Sequence, residues 1–179
     1  MHVESGFLYL ATASLCAIVA AFFDIRSRRI PNLLTGPALL AGFALHLALD
    51  GWRGLLSALA AALLCGGVFL IFYLAGGMGA GDVKLIAACG CLVGLPSSGS
   101  LLLLTALSGG VMALVLVLLR RQVRQTTLRM LELTRHHLQH GLTEHPELNV
   151  RNPSALRLPY GLAIAAGCTL TFYLHGVQP

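Results

Sequence analysis

Charged side chains are scarce in this chain of 179 residues, since aspartate, glutamate, lysine and arginine together make up 11% of it. An average soluble protein has about 25%. Hydrophobic residues make up 56% of the sequence. Because so few polar side chains cannot cover a water-facing surface of this size, the composition excludes a soluble globular enzyme, a disordered chain and a secreted disulfide scaffold. The sequence instead predicts a polytopic membrane protein that forms a single domain over residues 1–179.

Paired-cysteine motifs are also lacking, because the chain contains neither a CxxC pair nor a second zinc-type half-site. Cys89 and Cys91 are two residues apart, so on a helix they point about 200° apart and make a poor metal pair. We expect all the cysteines to pack as small apolar residues, and we expect no metal and no organic cofactor. They are Cys16, Cys65, Cys89, Cys91 and Cys168.

Long apolar stretches are what the sequence does have. Six of them are long enough, or nearly so, to cross a hydrocarbon layer of about 30 Å as helices. They lie at residues 5–23, 33–50, 54–75, 83–95, 98–119 and 158–175. The sequence therefore predicts an all-α fold with about six transmembrane helices.

Basic residues give the direction of these spans, because lysine and arginine near helix ends stay on the cytoplasmic side. With both termini outside, eleven of the 12 basic residues fall in cytoplasmic segments and Arg53 alone lies outside. Seven of the eleven lie in one long cytoplasmic loop at residues 120–157. The net charge of +5 therefore indicates topology and attraction to anionic lipid rather than binding of nucleic acid.

Two aspartates lie at predicted span ends, where ionisable residues are costly and need an explanation. Asp24 ends the first span and is followed by Arg26, and taken alone it fits an ordinary helix end with an ion pair. Asp82 follows four glycines in six residues, and taken alone it fits a helix N-cap. The predicted topology places both aspartates at the cytoplasmic boundary.

Two carboxylates in one partly desolvated site cannot both ionise cheaply, so one keeps a proton while the other can activate water. This is the chemistry of an aspartic protease. A proton-coupled transporter or channel that uses the two aspartates as a relay is an alternative, and a non-catalytic membrane scaffold is another.

At these residues the chain resembles the prepilin peptidases, which are intramembrane aspartic proteases with a GxGD signature. The segment from Gly79 to Asp82 and its continuation to Lys84 is similar to that signature. Asp24, with Arg26 and the Ile-Pro-Asn ending at Asn32, is similar to the first aspartate motif of the family. The Leu-Pro-Tyr-Gly run around Pro159 is similar to the segment that opens the last helix of these proteins.

The resemblance implies removal of a basic leader peptide from prepilin-like substrates at the cytoplasmic face of the bacterial inner membrane, with Asp24 and Asp82 as the catalytic pair. It also implies site-shaping or substrate-binding positions, with glycines that let a substrate backbone approach and a lysine that holds lipid or a substrate carboxylate. These positions are Arg26, Asn32, Gly79, Gly81, Lys84 and Pro159.

The apolar start of the chain resembles the short Flp or Tad-type form of the family, without the N-terminal zinc and methyltransferase domain of bifunctional relatives. Methyl transfer is therefore not expected. An archaeal preflagellin substrate remains open on the same motifs, as does the oligomeric state.

Several other features have simpler interpretations. His136 and His140 are one helical turn apart and could chelate a metal, but an exposed basic loop is favoured. His46 and His175 lie near outer span ends, where an interfacial position is expected. Small residues that let helices pack closely are expected at Gly66-Gly67, Gly109-Gly110 and from Ala58 to Ala62.

Overall fold

The structure is a computed structural model that describes residues 2–119 and 159–176. Four helices make up these residues, and we number them in chain order. They are α1 (His2–Ser27), α2 (Asn32–Leu74), α3 (Ala80–Leu119) and α4 (Tyr160–Gly176). Since the described ranges contain helices and short connections without any strand, the predicted all-α class is confirmed. The expected loop at residues 120–157, with His136 and His140, lies outside them.

Two glycines interrupt the long helices α2 and α3. Gly51 has φ 65° and ψ −150° inside α2, and Gly94 has φ 73° and ψ 172° inside α3. Both glycines have a positive φ, which other residues adopt only with strain. Gly51 lies between the second and third predicted spans, and Gly94 lies at the end of the fourth. Each long helix therefore consists of two segments that join at a sharp turn.

Helices α1, α2 and α3 are each long and apolar enough to cross a membrane. The number of spans and the direction of the termini stay predictions. Helix α3 begins at Ala80 rather than at the predicted Val83. The reason is that its first turn closes through a hydrogen bond from the Asp82 amide to the Gly79 carbonyl oxygen, 3.2 Å long.

Helix α3 is the centre of the bundle, since it is the main partner of α2 and also packs against α1 and α4. Helix α1 packs mainly on α4 and α3, and it contacts α2 much less. Its core face carries Ala13, Ala17 and Ala20, all fully buried. These alanines belong to the main apolar core of the bundle. Small side chains of this kind let helix backbones approach each other closely.

The cysteines pack as the sequence predicts. All are free thiols; Cys16 is half-buried and the others are buried. Cys89 belongs to the main apolar core, whereas Cys91 packs with Ala58 and Ala62 in a separate small cluster. The two neighbouring thiols therefore face different helices, as their spacing requires.

The small-residue prediction is partly wrong. A Cβ on Gly66 would lie 3.0 Å from the Ala87 side chain, so this glycine does allow close packing. Gly67 and Gly110 have nothing within 4 Å of such a Cβ. Each follows Gly66 or Gly109 by one residue, which is a rotation of about 100° around the helix axis. Gly67 and Gly110 therefore point away from the neighbouring helix.

The side chain of His46 is buried in the bundle with 4% of its surface exposed, and its interfacial depth stays a prediction. Its Nε2–H donates to the Leu92 carbonyl oxygen at 3.2 Å. In a regular helix the Leu92 carbonyl oxygen would accept a hydrogen bond from the N–H of residue 96. Residue 96 is a proline, which has no N–H. His46 therefore replaces a backbone hydrogen bond that Pro96 removes.

His46 belongs to a polar cluster that we call the Tyr9–His46–Asp50 cluster. The Tyr9 ring stacks on the His46 ring with centroids 3.9 Å apart, and its hydroxyl donates to Asp50 Oδ2 at 2.7 Å. His46 Nδ1 lies 3.7 Å from the same oxygen. The cluster thus joins α1 to the first segment of α2.

His175 is exposed, with Nε2 2.9 Å from Ser100 Oγ.

Candidate active site

Asp24 and Asp82 line one cavity of about 310 Å³. Asp24 lies in the last turns of α1, and Asp82 lies in the first turn of α3. The other residues of the wall come from the connection between α1 and α2 and from the start of α3. The full set is Asp24, Arg28, Arg29, Ile30, Gly79, Gly81 and Asp82. The fold thus brings the two aspartates together at one end of the bundle, although they are far apart along the chain.

Asp82 is held by the backbone of its own helix start. Its Oδ2 accepts a hydrogen bond from the Gly79 amide at 3.2 Å, while the Asp82 amide donates back to the Gly79 carbonyl oxygen. The bond from the Gly79 amide to the acid three residues later is the half of a capping box that the acidic residue supplies, since Gly79 has no side chain to return the bond. Asp82 is 9% exposed, so this contact fixes a nearly buried carboxyl at the cavity wall.

Asp24 is held by a different helix. Its Oδ2 accepts a hydrogen bond of 3.0 Å from the amide of Gly161, the second residue of α4. The first amides of a helix lack intrahelical partners, and the positive end of the helix dipole favours an anion there. The start of α4 therefore orients the Asp24 carboxylate from across the bundle.

Gly161 leaves no room for a side chain beside Asp24. A Cβ at this position would lie 2.9 Å from Asp24 Oδ2 and 3.0 Å from Asp24 Cβ. Pro159 directly precedes α4, and its carbonyl oxygen accepts the first turn's hydrogen bond from Leu162 at 3.0 Å. Pro159 thus starts the helix whose second amide holds Asp24. The Pro-Tyr-Gly pattern pointed to this segment, but sequence reasoning did not single out Gly161.

Gly79 and Gly81 both line the cavity. A Cβ on Gly79 would lie 3.2 Å from Asp82 Oδ2, and one on Gly81 would lie 3.3 Å from Ile30 Cβ. Both distances are tighter than most real contacts of a Cβ atom. The absent side chains therefore let the carboxyl fold back on Gly79 and let the α1–α2 connection approach α3. That a substrate backbone approaches them stays a prediction.

Three other predicted site residues lie outside the cavity wall. Lys84 Nζ donates to Asn32 Oδ1 at 2.9 Å, an exposed contact that links the starts of α2 and α3. Arg26 is exposed on α1. The structure thus places Asn32 and Lys84 beside each other near the site, whereas it does not bring Arg26 to the cavity.

Arg28 and Arg29 line the cavity, and sequence reasoning missed them as site residues. Their charge was assigned to membrane topology and to attraction to anionic lipid. Their position immediately after the first aspartate motif is the signal that could have identified them, because a connection that follows one aspartate directly stays near it.

The cavity suits acid–base chemistry. Asp24 and Asp82 line the same cavity, and two carboxyls that interact can hold one proton between them. Among residues 2–119 and 159–176, no group of three or more histidine, cysteine, aspartate or glutamate side chains could hold a metal ion.

Comparison with known proteins gives matches to this part of the chain. Residues 11–114, which include both aspartates, match the type IV leader peptidase family. The chain is also 34% identical over 129 residues to a prepilin leader peptidase/N-methyltransferase from Aeromonas hydrophila. That alignment covers 67% of this chain and 44% of the relative, so the chain spans less than half of the relative's length. No solved structure matches the chain significantly.

The family match covers more than half of the chain and falls on three apolar helices that are long enough to cross a membrane. The chain is therefore an integral membrane protein, and it belongs to the type IV leader peptidase family.

Proposed function

We propose that the chain is an intramembrane aspartic endopeptidase that removes the basic leader from prepilin-like precursors, with Asp24 and Asp82 as its catalytic pair. The observation that carries the proposal is that both carboxyls line one cavity of about 310 Å³ at one end of the bundle. The relative from Aeromonas hydrophila is named as a prepilin leader peptidase, which supports the same reaction here. The reaction needs no metal and no organic cofactor.

The contacts of the two carboxyls leave their other oxygens available for chemistry. Each aspartate uses Oδ2 to accept a backbone N–H, from Gly161 or from Gly79. Within the described part of the chain, no hydrogen bond reaches Oδ1 of either aspartate. In the proposed reaction the ionised carboxyl takes a proton from water, while the protonated carboxyl donates a hydrogen bond to the scissile carbonyl. The resulting hydroxide attacks that carbonyl carbon, and the departing amine takes a proton from a carboxyl.

The proposed setting is the bacterial inner membrane, with six spans, both termini outside and the cavity at the cytoplasmic face among anionic lipids. The breaks at Gly51 and Gly94 support this topology, since each one lets a long apolar helix turn back. Reporter fusions at residues 51 and 94 would be expected to report an external position. A cytoplasmic signal at either position would contradict the topology.

The test is cleavage of a tagged prepilin co-expressed with the wild-type chain, Asp24→Asn or Asp82→Asn. We expect each substitution to lower the rate by about a thousandfold or more, because an amide cannot serve as the base or share the proton. Asp50→Asn is the matched control, since Asp50 lies in the Tyr9–His46–Asp50 cluster. Leader removal by both mutants at the wild-type rate would overturn the proposal.

The transporter alternative is not favoured, because the family that the chain matches consists of leader peptidases. Purified wild-type protein in liposomes with a proton gradient separates the two functions. The peptidase proposal predicts prepilin cleavage without a proton flux that depends on Asp24 and Asp82. A flux that both substitutions abolish, with the prepilin left intact, would favour the transporter.

A further inference from the structure

We propose that His46 Nδ1 and the Asp50 carboxylate bind a divalent metal ion of the zinc type, at the end of the bundle opposite the candidate active site. The ion is structural and takes no part in the proposed reaction, so this inference does not rest on the proposed function. The two residues are four positions apart in the first segment of α2. This spacing places two side chains next to each other on one face of a helix.

The first argument is a buried nitrogen without a partner. His46 Nε2–H donates to the Leu92 carbonyl oxygen, so in the neutral ring Nδ1 carries a lone pair and can only accept. Within the described part of the chain, Nδ1 has no hydrogen-bond partner, and it is shielded from solvent. It lies 3.7 Å from Asp50 Oδ2, which is also an acceptor when the carboxyl is ionised. A cation between the two acceptors satisfies both of them.

The distance between these two atoms fits zinc. Zinc lies about 2.0–2.1 Å from a histidine nitrogen and about 2.0–2.2 Å from a carboxylate oxygen. One ion can therefore contact two such atoms that are up to about 4.2 Å apart. At the observed 3.7 Å, the angle at the ion is bent, as tetrahedral coordination requires. The Asp50 side chain is 30% exposed, so water can reach the ion and fill its remaining positions.

The hydrogen bonds around both ligands are the second argument. A histidine that binds a metal almost always donates its other N–H to a carboxylate or a backbone carbonyl, and a ligating carboxylate is itself hydrogen-bonded. His46 has the first kind of contact, with the Leu92 carbonyl oxygen at 3.2 Å. Asp50 Oδ2 has the second kind, from the Tyr9 hydroxyl at 2.7 Å. Both ligands are therefore already oriented as they would be around a metal ion.

The imidazole ring is also held in one position. The Tyr9 ring stacks on it with centroids 3.9 Å apart. On the side of Cε1 it borders Gly94, where a Cβ would lie only 2.9 Å away. Since the ring has little room to turn, Nδ1 stays directed away from Leu92, and the site needs little rearrangement to bind an ion.

An ion at this site would strengthen a junction where the helices contact each other little. Tyr9 belongs to α1 and both ligands belong to α2, and α1 contacts α2 much less than it contacts α3 or α4. The site has two protein ligands, so it does not belong to the groups of three or more that are lacking in residues 2–119 and 159–176. We therefore expect the ion to stabilise the fold.

The test uses purified full-length protein without a histidine tag, in detergent at neutral pH, with Zn²⁺ alone as the probe. Thermal unfolding is measured with and without the ion. At a zinc concentration about 100 times the dissociation constant, we expect the midpoint to rise by about 5 °C or more. His136 and His140 are another possible chelating pair, so all proteins carry His136→Ala and His140→Ala.

Trp52 supplies a local signal, because it is the one tryptophan of the chain and follows Asp50 by two residues. Imidazole binds Ni²⁺ as well as Zn²⁺, and paramagnetic Ni²⁺ quenches tryptophan fluorescence at short range. We expect Ni²⁺ to quench Trp52 until the site is saturated. EDTA or an excess of Zn²⁺ should restore the fluorescence.

His46→Gln is the decisive variant, because its side-chain amide can still donate to the Leu92 carbonyl oxygen but offers no imidazole nitrogen. We expect it to lose both the zinc-dependent rise and the quenching, and Asp50→Asn to do the same. Tyr9→Phe should weaken binding about tenfold, the usual effect of losing a hydrogen bond to a ligand. His175→Ala is the matched control, since that histidine is exposed and bonds to Ser100; it should keep both signals.

Two results would overturn the proposal. In the first, Zn²⁺ would raise the midpoint of the wild type, His46→Gln and Asp50→Asn equally, or would raise none of them, so that no ion binds between these residues. In the second, acid alone would stabilise the wild type through His46 while Zn²⁺ has no effect at neutral pH, which would assign the position to a proton. Neither result bears on leader cleavage, which the substitutions of Asp24 and Asp82 test separately.

Discussion

The two ends of the bundle carry similar polar residues in opposite arrangements. At one end, Asp24 and Asp82 face a cavity and are held by backbone amides. The other end contains the Tyr9–His46–Asp50 cluster, in which an aspartate, a histidine and a tyrosine contact one another. Asp24 and Tyr9 are 15 positions apart on α1, so about 22 Å separates the two ends.

The difference lies in what the polar groups contact. In the Tyr9–His46–Asp50 cluster, the tyrosine hydroxyl bonds to the aspartate and the histidine bonds to a carbonyl that Pro96 leaves without a donor. These side chains complete the backbone hydrogen bonding of a broken helix. At the cavity, backbone amides occupy one oxygen of each aspartate and the other oxygen stays available. The Tyr9 hydroxyl and the His46 Nε2–H thus bond within the fold, although His46 Nδ1 has no hydrogen-bond partner. At the cavity, carboxyls that the backbone holds through one oxygen can act on a ligand through the other.

The sharpest way to test this comparison is Gly161→Ala. The new Cβ would lie 2.9 Å from Asp24 Oδ2, so the carboxylate must move. We expect kcat/KM for prepilin cleavage to fall about 100-fold, because a shift of about 1 Å in a catalytic group has an effect of that size. Thermal unfolding in detergent should change little, since the displaced side chain borders a cavity.

Gly110→Ala is the control for that substitution, because nothing lies within 4 Å of a Cβ at Gly110. It should leave the rate unchanged. If Gly161→Ala cleaves prepilin as fast as Gly110→Ala, the start of α4 does not orient Asp24.

His46→Ala tests the other end of the bundle. It leaves the Leu92 carbonyl without a donor in a buried position, so we expect the free energy of unfolding to fall by about 2 kcal/mol. The value of kcat/KM per folded molecule should stay the same, because His46 lies far from the cavity. Denaturation with SDS, followed by circular dichroism, measures the first quantity, and a prepilin cleavage assay measures the second.

His175→Ala is its control, since His175 is exposed and bonds to Ser100 near the surface. Its stability should match that of the wild type. A loss of activity in folded His46→Ala protein would show that the two ends of the bundle are coupled. It would contradict the view that one end stabilises the fold while the other carries out the reaction.

Tyr9→Phe should have the smallest effect. It removes the hydroxyl that donates to Asp50 at 2.7 Å and keeps the ring that stacks on His46. Interhelical hydrogen bonds in membrane proteins contribute about 0.6 kcal/mol on average, and Asp50 is partly exposed and can bind water instead. We expect a loss of about that size in the same unfolding experiment. A loss as large as that of His46→Ala would show that the hydroxyl, rather than the histidine, holds the cluster together.

Sequence patterns predicted most of the helices, because a run of apolar residues is a local property. They also pointed to Asp24 and Asp82, because an ionisable residue among apolar ones stands out without any knowledge of the fold. The contacts that sequence patterns missed are those between residues that are distant in sequence. The bond of His46 was not predicted, because nothing near it in the chain indicates that Pro96 leaves the Leu92 carbonyl without a donor.

The composition, the apolar runs and the short motifs by themselves determined the helical class, the membrane-spanning character and the family of this chain. Only the tertiary structure decided that the amide of Gly161 holds Asp24, that His46 completes the broken helix α3 and that Arg28 and Arg29 line the cavity. The physical reason is that hydropathy acts through neighbouring residues, whereas a hydrogen bond across the bundle depends on how separate helices pack against one another.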